Sequence, residues 1–489
     1  MTLATIHESD YTNPVLHAQG LYIGGEWLPG SGIEVINPAT NAVLAEVADA
    51  TTADALHAVD AAAAAAANWR ATPPRQRAEI LRRWFQLMTE RAEALAQLIS
   101  LENGKALPDA RGEVAYGAEF FRWFSEEACR ISGDARRSPD GNLRLMATSE
   151  PVGPCILITP WNFPLAMATR KIGPAIAAGC TMVFKPANLT PLTSLYVVDL
   201  LREAGLPDGV LGVVCTTSPG DVVEPWIDSG IARKLSFTGS TPVGKMLLEQ
   251  CSRGVLRTSM ELGGNAPFVV CSDADLDTAV SAAMAAKMRN MGEACTSANR
   301  ILVHRSVIDE FGRRLTEKMA ALTVGNGVDD GVDVGPLVEE KAVAKVKGLV
   351  DDAVSRGAKV LTGGTRGDGP GFFYPPTVLS GVSPESELMS TEIFGPVAAL
   401  IPFDTDEEAV TLANDTEFGL VSYVMTENLD RALTMSERLQ AGMVGVNVGV
   451  VSNPAAPFGG IKQSGLGREG GTTGIEEFLE TKLVAIPVR

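Results

Sequence analysis

Three residues near the middle of the chain carry side chains suited to covalent and acid–base chemistry, and no histidine accompanies them. Cys295 lies in Arg289-Asn290-Met291-Gly292-Glu293-Ala294-Cys295-Thr296-Ser297, where a helical pattern over 283–289 ends and a thiol follows a glycine break. A cysteine on a loop at a sheet edge reads as a nucleophile or, equally from this segment alone, as a buried loop thiol. Glu261, in Met260-Glu261-Leu262-Gly263-Gly264, is flanked by apolar residues and glycine. Desolvation there raises a carboxyl pKa and suits it to general-base work; helix capping or ion pairing is the commoner fate of a lone Glu. Asn162, in Pro160-Trp161-Asn162-Phe163-Pro164, follows the apolar run 155–159. Its amide can hold a developing oxyanion, or simply cap a helix that starts at a proline.

Those positions are set by alternating elements. Apolar runs at 155–159, 181–185, 212–215, 234–237 and 267–271 alternate with helical stretches such as 165–178 and 192–204. That is the pattern of a parallel sheet covered on both faces. A second alternating stretch spans 274–448, with strands expected at 301–303, 359–361, 397–402, 420–425 and 443–446. Upstream, helices are expected over 52–69 with a Thr51 or Thr52 cap, over 75–101, and over 107–132. The apolar tail 483–488 reads as an edge strand that would pair with another subunit. Lys185 ends one strand and can reach ribose or phosphate oxygens. Gly239 and Gly244, in Phe237-Thr238-Gly239-Ser240-Thr241-Pro242-Val243-Gly244, would let backbone approach a ligand at a helix N-terminus. This is not GxGxxG, and many strand–helix turns look like it.

Composition narrows the chemistry. The 489 residues include 41 Lys and Arg against 59 Asp and Glu, a formal charge of −18, which argues against a nucleic-acid partner. The four histidines, His7, His17, His57 and His304, share no motif, so a His-ligated metal or a Ser-His-Asp triad is not expected. None of the seven cysteines forms a CxxC pair. Cys155, Cys180, Cys215, Cys251 and Cys271 read as small buried hydrophobes, and Cys129 is grouped with them as structural. No apolar stretch approaches the roughly 20 residues that span a bilayer, and 1–14 is polar. The expectation is a soluble cytoplasmic protein with no membrane partner. A thiol without a histidine must be activated by its surroundings, such as a helix end or a cofactor's positive ring.

With these pieces in place, the chain resembles the aldehyde dehydrogenase superfamily. PWNFP, FKPA, FTGS, MELGG, the GxxC segment, EIFGP at 392–396 and PFGG at 457–460 occur in order along nearly the whole length. The resemblance implies an α/β fold with a Rossmann-type cofactor domain (1–130 and 150–262), an α/β catalytic domain (263–450) and a small β oligomerisation element (131–149 and 451–489). It implies catalysis by Cys295, with Asn162 and the cysteine's own N–H holding the oxyanion, hydride passing to nicotinamide, and Glu261 activating water against the thioester. Cofactor contacts carry over to Thr159, Pro160, Trp161, Asn162, Lys185, Ala187, Asn188, Gly220, Phe237, Gly239, Ser240, Val243, Leu262, Glu392 and Phe394. No metal is implied.

Within the superfamily, the segment 457–470 and Thr169-Arg170-Lys171 look like succinate-semialdehyde dehydrogenases. That likeness implies that Arg170, Arg289 and Ser464, with Phe458, hold the far carboxylate of a small aldehyde. Two guanidinium groups near one pocket would make a fork for it. Three departures stand out. Glu293 replaces the usual Gln and adds charge near the thiol, unless it points away. Ser297 stands where some relatives carry a second cysteine, which removes a neighbouring disulfide partner. Asn188 stands where NAD-preferring relatives often have Glu, which leaves NADP as admissible as NAD. Assembly as a homodimer or homotetramer is expected. Glutarate semialdehyde or another aldehyde is the alternative substrate, and a non-catalytic relative of the same fold is the alternative from another class.

Overall fold

Short runs of Val, Ile, Leu and Phe, buried on both faces, make the centres of two sheets, and the turns that follow them carry the polar side chains. The computed structural model describes residues 20–367 and 369–488. His7, His17 and the polar N-terminal stretch lie outside them. In the first sheet, Leu211–Val213, Met182–Lys185, Cys155–Ile158, Lys234–Thr238 and Arg257–Glu261 lie side by side in parallel. Leu21–Ile23, backed by Glu26–Leu28, adds antiparallel to one edge, and Gly465–Leu466 to the other. The chain winds outward from Cys155–Ile158 in one direction, then restarts beside it with Lys234–Thr238. Ligands of open α/β sheets bind outside the carboxyl ends at such a reversal. Trp161 and Asn162 leave the first of these strands there, and Gly239 and Ser240 leave the second.

The second sheet runs in the order Lys359–Thr362, Thr377–Ser380, Val397–Phe403, Ala298–His304, Ala266–Val270, Val421–Met425, Met443–Val446, parallel except at its first strand. A third, antiparallel sheet joins Asp134–Arg137, Leu143–Pro151 and Leu479–Pro487. The tail expected to be a free apolar edge is therefore paired along one side by Leu143–Pro151. Its other side is open, with Leu483 64% exposed.

Two helix expectations need correction, and one alternative reading of Asn162 falls. The helix expected over 75–101 is two, Pro74–Glu90 and Ala92–Asn103, divided at Arg91, whose φ of −108° and ψ of 18° leave the helical region. The apolar spacing continues across the break, so periodicity alone does not register it. Leu107–Glu127 stops short of 132. It packs Phe121 against Trp84, rings 3.5 Å apart, beneath the site, and burial of each such side chain contributes about 1.5–3 kcal/mol. The helix after Asn162 is Ala166–Ala178, so Pro164 lies ahead of it and Asn162 does not cap it. A carboxylate from the neighbouring helix does that work. Glu113 Oε1 accepts from the amides of Leu165 at 2.9 Å and Ala166 at 3.1 Å. The expected Thr51 cap is present, as a reciprocal pair with Asp54 at the start of Thr52–Ala71.

Candidate active site

The loops at the carboxyl ends of the two parallel sheets enclose a cavity of about 640 Å³. Every residue that the family resemblance assigns to the cofactor lines it, together with Glu261 and Cys295. The wall toward the first sheet is mostly apolar and carries polar atoms with no partner: Thr159 Oγ1, Thr238 Oγ1 and Asn188 Oδ1. Lys185, buried at the end of its strand, reaches only the Pro186 carbonyl at 3.3 Å. Trp161 and Phe394 meet edge to face, 5.4 Å apart. Gly239 lines the cavity, and packing also requires both glycines expected to admit a ligand. A Cβ on Gly239 would stand 2.4 Å from the Phe237 ring, and one on Gly244 2.4 Å from Leu262.

Cys295 sits in the turn between the short 3-10 helix Arg289–Gly292 and the strand Ala298–His304. Asn290, Met291 and Gly292 all have positive φ, a tight left-handed run that turns the chain toward the first sheet. Gly292 is required there, because a Cβ would lie 2.2 Å from the Gly395 carbonyl. The run is held from outside. Asn290 N donates to Asp109 at 2.7 Å, and Asn290 Nδ2 donates to the carbonyls of Asn162 and Glu293, each at 2.9 Å. The Asn162 amide donates one hydrogen to the Glu293 carbonyl at 3.1 Å, and its Oδ1 accepts from Phe163 N. The second amide hydrogen is left for a ligand in the cavity. Burial pushes the Cys295 thiol up to about 12; Arg170 and Arg289 pull it down, and Glu392 and Glu261 push it further up. Glu293, two residues before the thiol, is fully buried. Its carboxyl turns away to accept from Val338 N at 3.3 Å, and burial holds it well above the usual range.

Glu261 ends the strand Arg257–Glu261, opposite Thr238 on one neighbour and Gly465 on the other. Neither of its carboxyl oxygens has a hydrogen-bond partner. Burial raises its pKa well above the usual range, and Glu469 adds to this, against Arg170, Lys171 and Arg468. Glu469 was not singled out from sequence. It takes an ion pair from Lys171 Nζ at 2.6 Å and from Arg170 Nε at 2.5 Å, all three side chains buried. Burial opposes its charge, yet these two cations hold it below the usual carboxylate range. Glu392 accepts from Gly264 N at 3.2 Å, and burial raises it to about 7.

The residues expected to hold the substrate separate into two groups. Arg170, Arg289 and Phe458 converge beside the thiol. Arg170 stacks on the Phe458 ring at 3.9 Å, and its Nη2 is buried without a hydrogen bond. Arg289 stacks on Phe163 at 4.8 Å and lies 5.6 Å from Tyr116. Among the described residues it makes no ion pair, although Asp109 lies near enough for its charge to be felt. Ser464 is not with them. It is fully buried, its one proton goes to the Gly263 carbonyl at 2.7 Å, and it accepts from Gly419 N at 3.0 Å. That spends the hydroxyl on the backbone behind Glu261. The hydroxyl groups beside the arginines are those of Tyr116 and its neighbour Ser452, which sequence reasoning missed. Cys129, taken with the structural thiols, is exposed, while Cys155, Cys180, Cys215, Cys251 and Cys271 are buried.

A protein-family model described as the aldehyde dehydrogenase family matches residues 27–484. A succinate-semialdehyde dehydrogenase of Paenarthrobacter nicotinovorans is 56% identical over 444 residues, covering 91% of this chain and 99% of that one. A glutarate-semialdehyde dehydrogenase of Pseudomonas putida is 48% identical over 476 residues, covering 97% and 98%. The crystal structure of an NADP-dependent enzyme of Escherichia coli superposes with a TM-score of 0.96 at 45% identity, covering 99% of this chain and 100% of that one. With residues 27–484 matched, which take in the cavity and the thiol loop, the chain belongs to the aldehyde dehydrogenase family.

Proposed function

We propose that this protein oxidises succinate semialdehyde to succinate, with NADP or NAD as hydride acceptor. One observation carries the choice of a carboxylated aldehyde. Arg289 stands beside the thiol with no ion pair of its own, next to a buried Arg170 Nη2 that lacks a hydrogen bond. A buried guanidinium N–H left without an acceptor costs about 1–3 kcal/mol, and an incoming carboxylate relieves that cost. The two arginines would take the far carboxylate and leave the aldehyde carbon over Cys295 Sγ.

The chain's own groups then divide the work. The thiol, neutral at rest, must lose its proton before Sγ bonds the aldehyde carbon. The resulting oxyanion finds the free Asn162 amide hydrogen and the Cys295 N–H. When bound, the dinucleotide supplies the hydride acceptor. Its nicotinamide ribose would be held by Glu392, its adenosine end by Lys185 and Asn188. The orphaned Thr159, Thr238 and Asn188 oxygens fit a polar ligand of that kind. Asn188 brings no carboxylate to repel a 2′-phosphate, which favours accepting NADP alongside NAD. Water then attacks the thioester, and Glu261 takes its proton.

Relatives act on both succinate and glutarate semialdehyde, one methylene apart, a difference that binding pockets resolve by only about 10- to 200-fold. The test is reduced-nicotinamide absorbance with purified protein, each cofactor and each aldehyde. No reduction with either cofactor sinks the proposal. A higher kcat/KM for glutarate semialdehyde replaces the substrate while keeping the mechanism. A homodimer or homotetramer in the cytoplasm belongs to the same proposal. It is supported by the open side of Leu479–Pro487 and by seven free cysteines, which suit a reducing compartment.

A further inference from the structure

Beneath Asn162 lies a set of buried charges that the proposed mechanism does not use. Lys105 and Glu113 are both fully buried and pair at 2.6 Å. Lys105 Nζ also donates to the Asn162 carbonyl at 2.8 Å and stands 4.1 Å from the centre of the Phe163 ring. The other Glu113 oxygen accepts from Leu165 N and Ala166 N. One ion pair therefore clamps both ends of the turn from Asn162 to Ala166. The same Asn162 carbonyl receives Asn290 Nδ2, and Asn290 N is fixed by Asp109, one turn before Glu113 on the same helix. The Glu293 carbonyl, two residues from the thiol, takes hydrogen bonds from both Asn162 and Asn290. The donor loop and the thiol loop are thus tied to a single segment, Lys105 to Glu113.

A gain in stability does not account for such a pair. Desolvating two charges offsets most of their attraction, and apolar replacements of buried pairs are often neutral or stabilising. What a buried cation held by a carboxylate and a ring face supplies is a fixed place for the carbonyl it also bonds. We propose that Lys105 is a positioning residue for oxyanion stabilisation, fixing the main chain of Asn162 so that its free amide hydrogen meets the substrate oxygen over Cys295. This rests on the reading of Asn162 as the oxyanion donor.

A double-mutant cycle in single-turnover hydride transfer separates the two claims. Asn162→Ala alone must slow hydride transfer; if it does not, the reading of Asn162 falls. Lys105→Met should slow it by about 10- to 100-fold, the cost expected of a misplaced reacting group, with cofactor affinity held within about twofold. In the Asn162→Ala background the same change should cost less than about twofold, because the side-chain donor that Lys105 places is already gone. Equal losses in both backgrounds would overturn the positioning role and leave Asn162 untouched. Lys105→Met strands the Glu113 charge, so Lys105→Met/Glu113→Gln is the companion variant. It keeps an acceptor for Leu165 and Ala166 and should recover the thermal midpoint while hydride transfer stays slow. Recovery of the rate together with the midpoint would also overturn the proposal.

Discussion

Two buried polar clusters flank Cys295, and they are built to opposite rules. On one side Lys105, Glu113, Asp109, Asn290 and Asn162 exchange hydrogen bonds of 2.6–3.1 Å. On the other side Arg170, Lys171, Glu469 and Glu261 share too few partners. Both Glu261 oxygens and Arg170 Nη2 go without hydrogen bonds. In the first cluster the charged groups are all hydrogen-bonded, with only Asn290 Oδ1 left over, and it holds geometry, since any change of protonation would break several bonds at once. The under-satisfied one keeps a carboxyl near a change of charge and a guanidinium ready for a guest. Fixed geometry and variable charge are needed within one site, and the fold obtains both by drawing them from different elements.

The largest effect expected on that contrast comes from Glu261→Gln. Steady-state turnover should fall by about 10²–10⁴-fold, the usual contribution of a general base, while the first burst of reduced cofactor survives. Rapid-mixing absorbance reads both phases. Loss of the burst as well would place Glu261 before hydride transfer and blur the division between the clusters.

The arginines should separate next. Arg289→Met should raise KM for succinate semialdehyde by about 10- to 100-fold, the worth of a buried hydrogen bond to a charged group, and leave an uncharged aldehyde within about twofold. Arg170→Met should raise KM as well, and should also lower turnover, because it frees Glu469 to push Glu261 further toward its neutral form. Equal behaviour of the two variants on kcat would mean that Arg170 is not coupled to the base.

Lys171→Met tests the same coupling through pH. Glu261 must be ionised to accept a proton from water, so thioester hydrolysis rises with pH through its raised pKa. Lys171 stabilises that carboxylate. Its removal should move the rising limb to higher pH, because the raised carboxyl pKa then rises further. A limb that stays put, or moves down, would detach Lys171 from the base.

How far the sequence foretold this follows from distance along the chain. Cys295, Glu261 and Asn162 are legible because each lies in a short segment whose apolar and glycine neighbours already describe its surroundings. The parallel sheets are legible for the same local reason. Lys171 and Glu469 meet across 298 positions, and no local pattern announces such a pair. The available hint was two adjacent cations in a helix that is otherwise apolar or small, with no polar face to send them to. Ser464 failed the other way. Its segment matches in type, but pairing of Gly465–Leu466 with Met260 and Glu261 draws its hydroxyl into the backbone. Ser452, twelve residues earlier, has no motif of its own and is recognised only by its position beside Tyr116.

Lys287 gives the smallest effect, and it tests whether under-satisfaction marks function at all. Its amine is fully buried with no hydrogen-bond partner, and burial lowers its pKa to about 7, with Glu392 pulling the other way. Unfolded chain binds this proton up to about pH 10, folded chain only up to about 7, so the buried amine costs folding stability as pH falls between those values and costs it in full below the lower one. Lys287→Met should therefore raise the thermal midpoint, by the equivalent of about 1–3 kcal/mol, the usual cost of an unpaired buried polar group. The gain should be larger at pH 6.5 than at pH 9.5. If the orphaned amine is only a packing cost, kinetics at saturating cofactor are unchanged. If it tunes Glu392, KM for the cofactor rises in the variant while the stability gain remains. A midpoint that falls at both pH values would mean that the amine has a partner within the fold, and the rule that orphaned groups mark either function or cost would lose its simplest case.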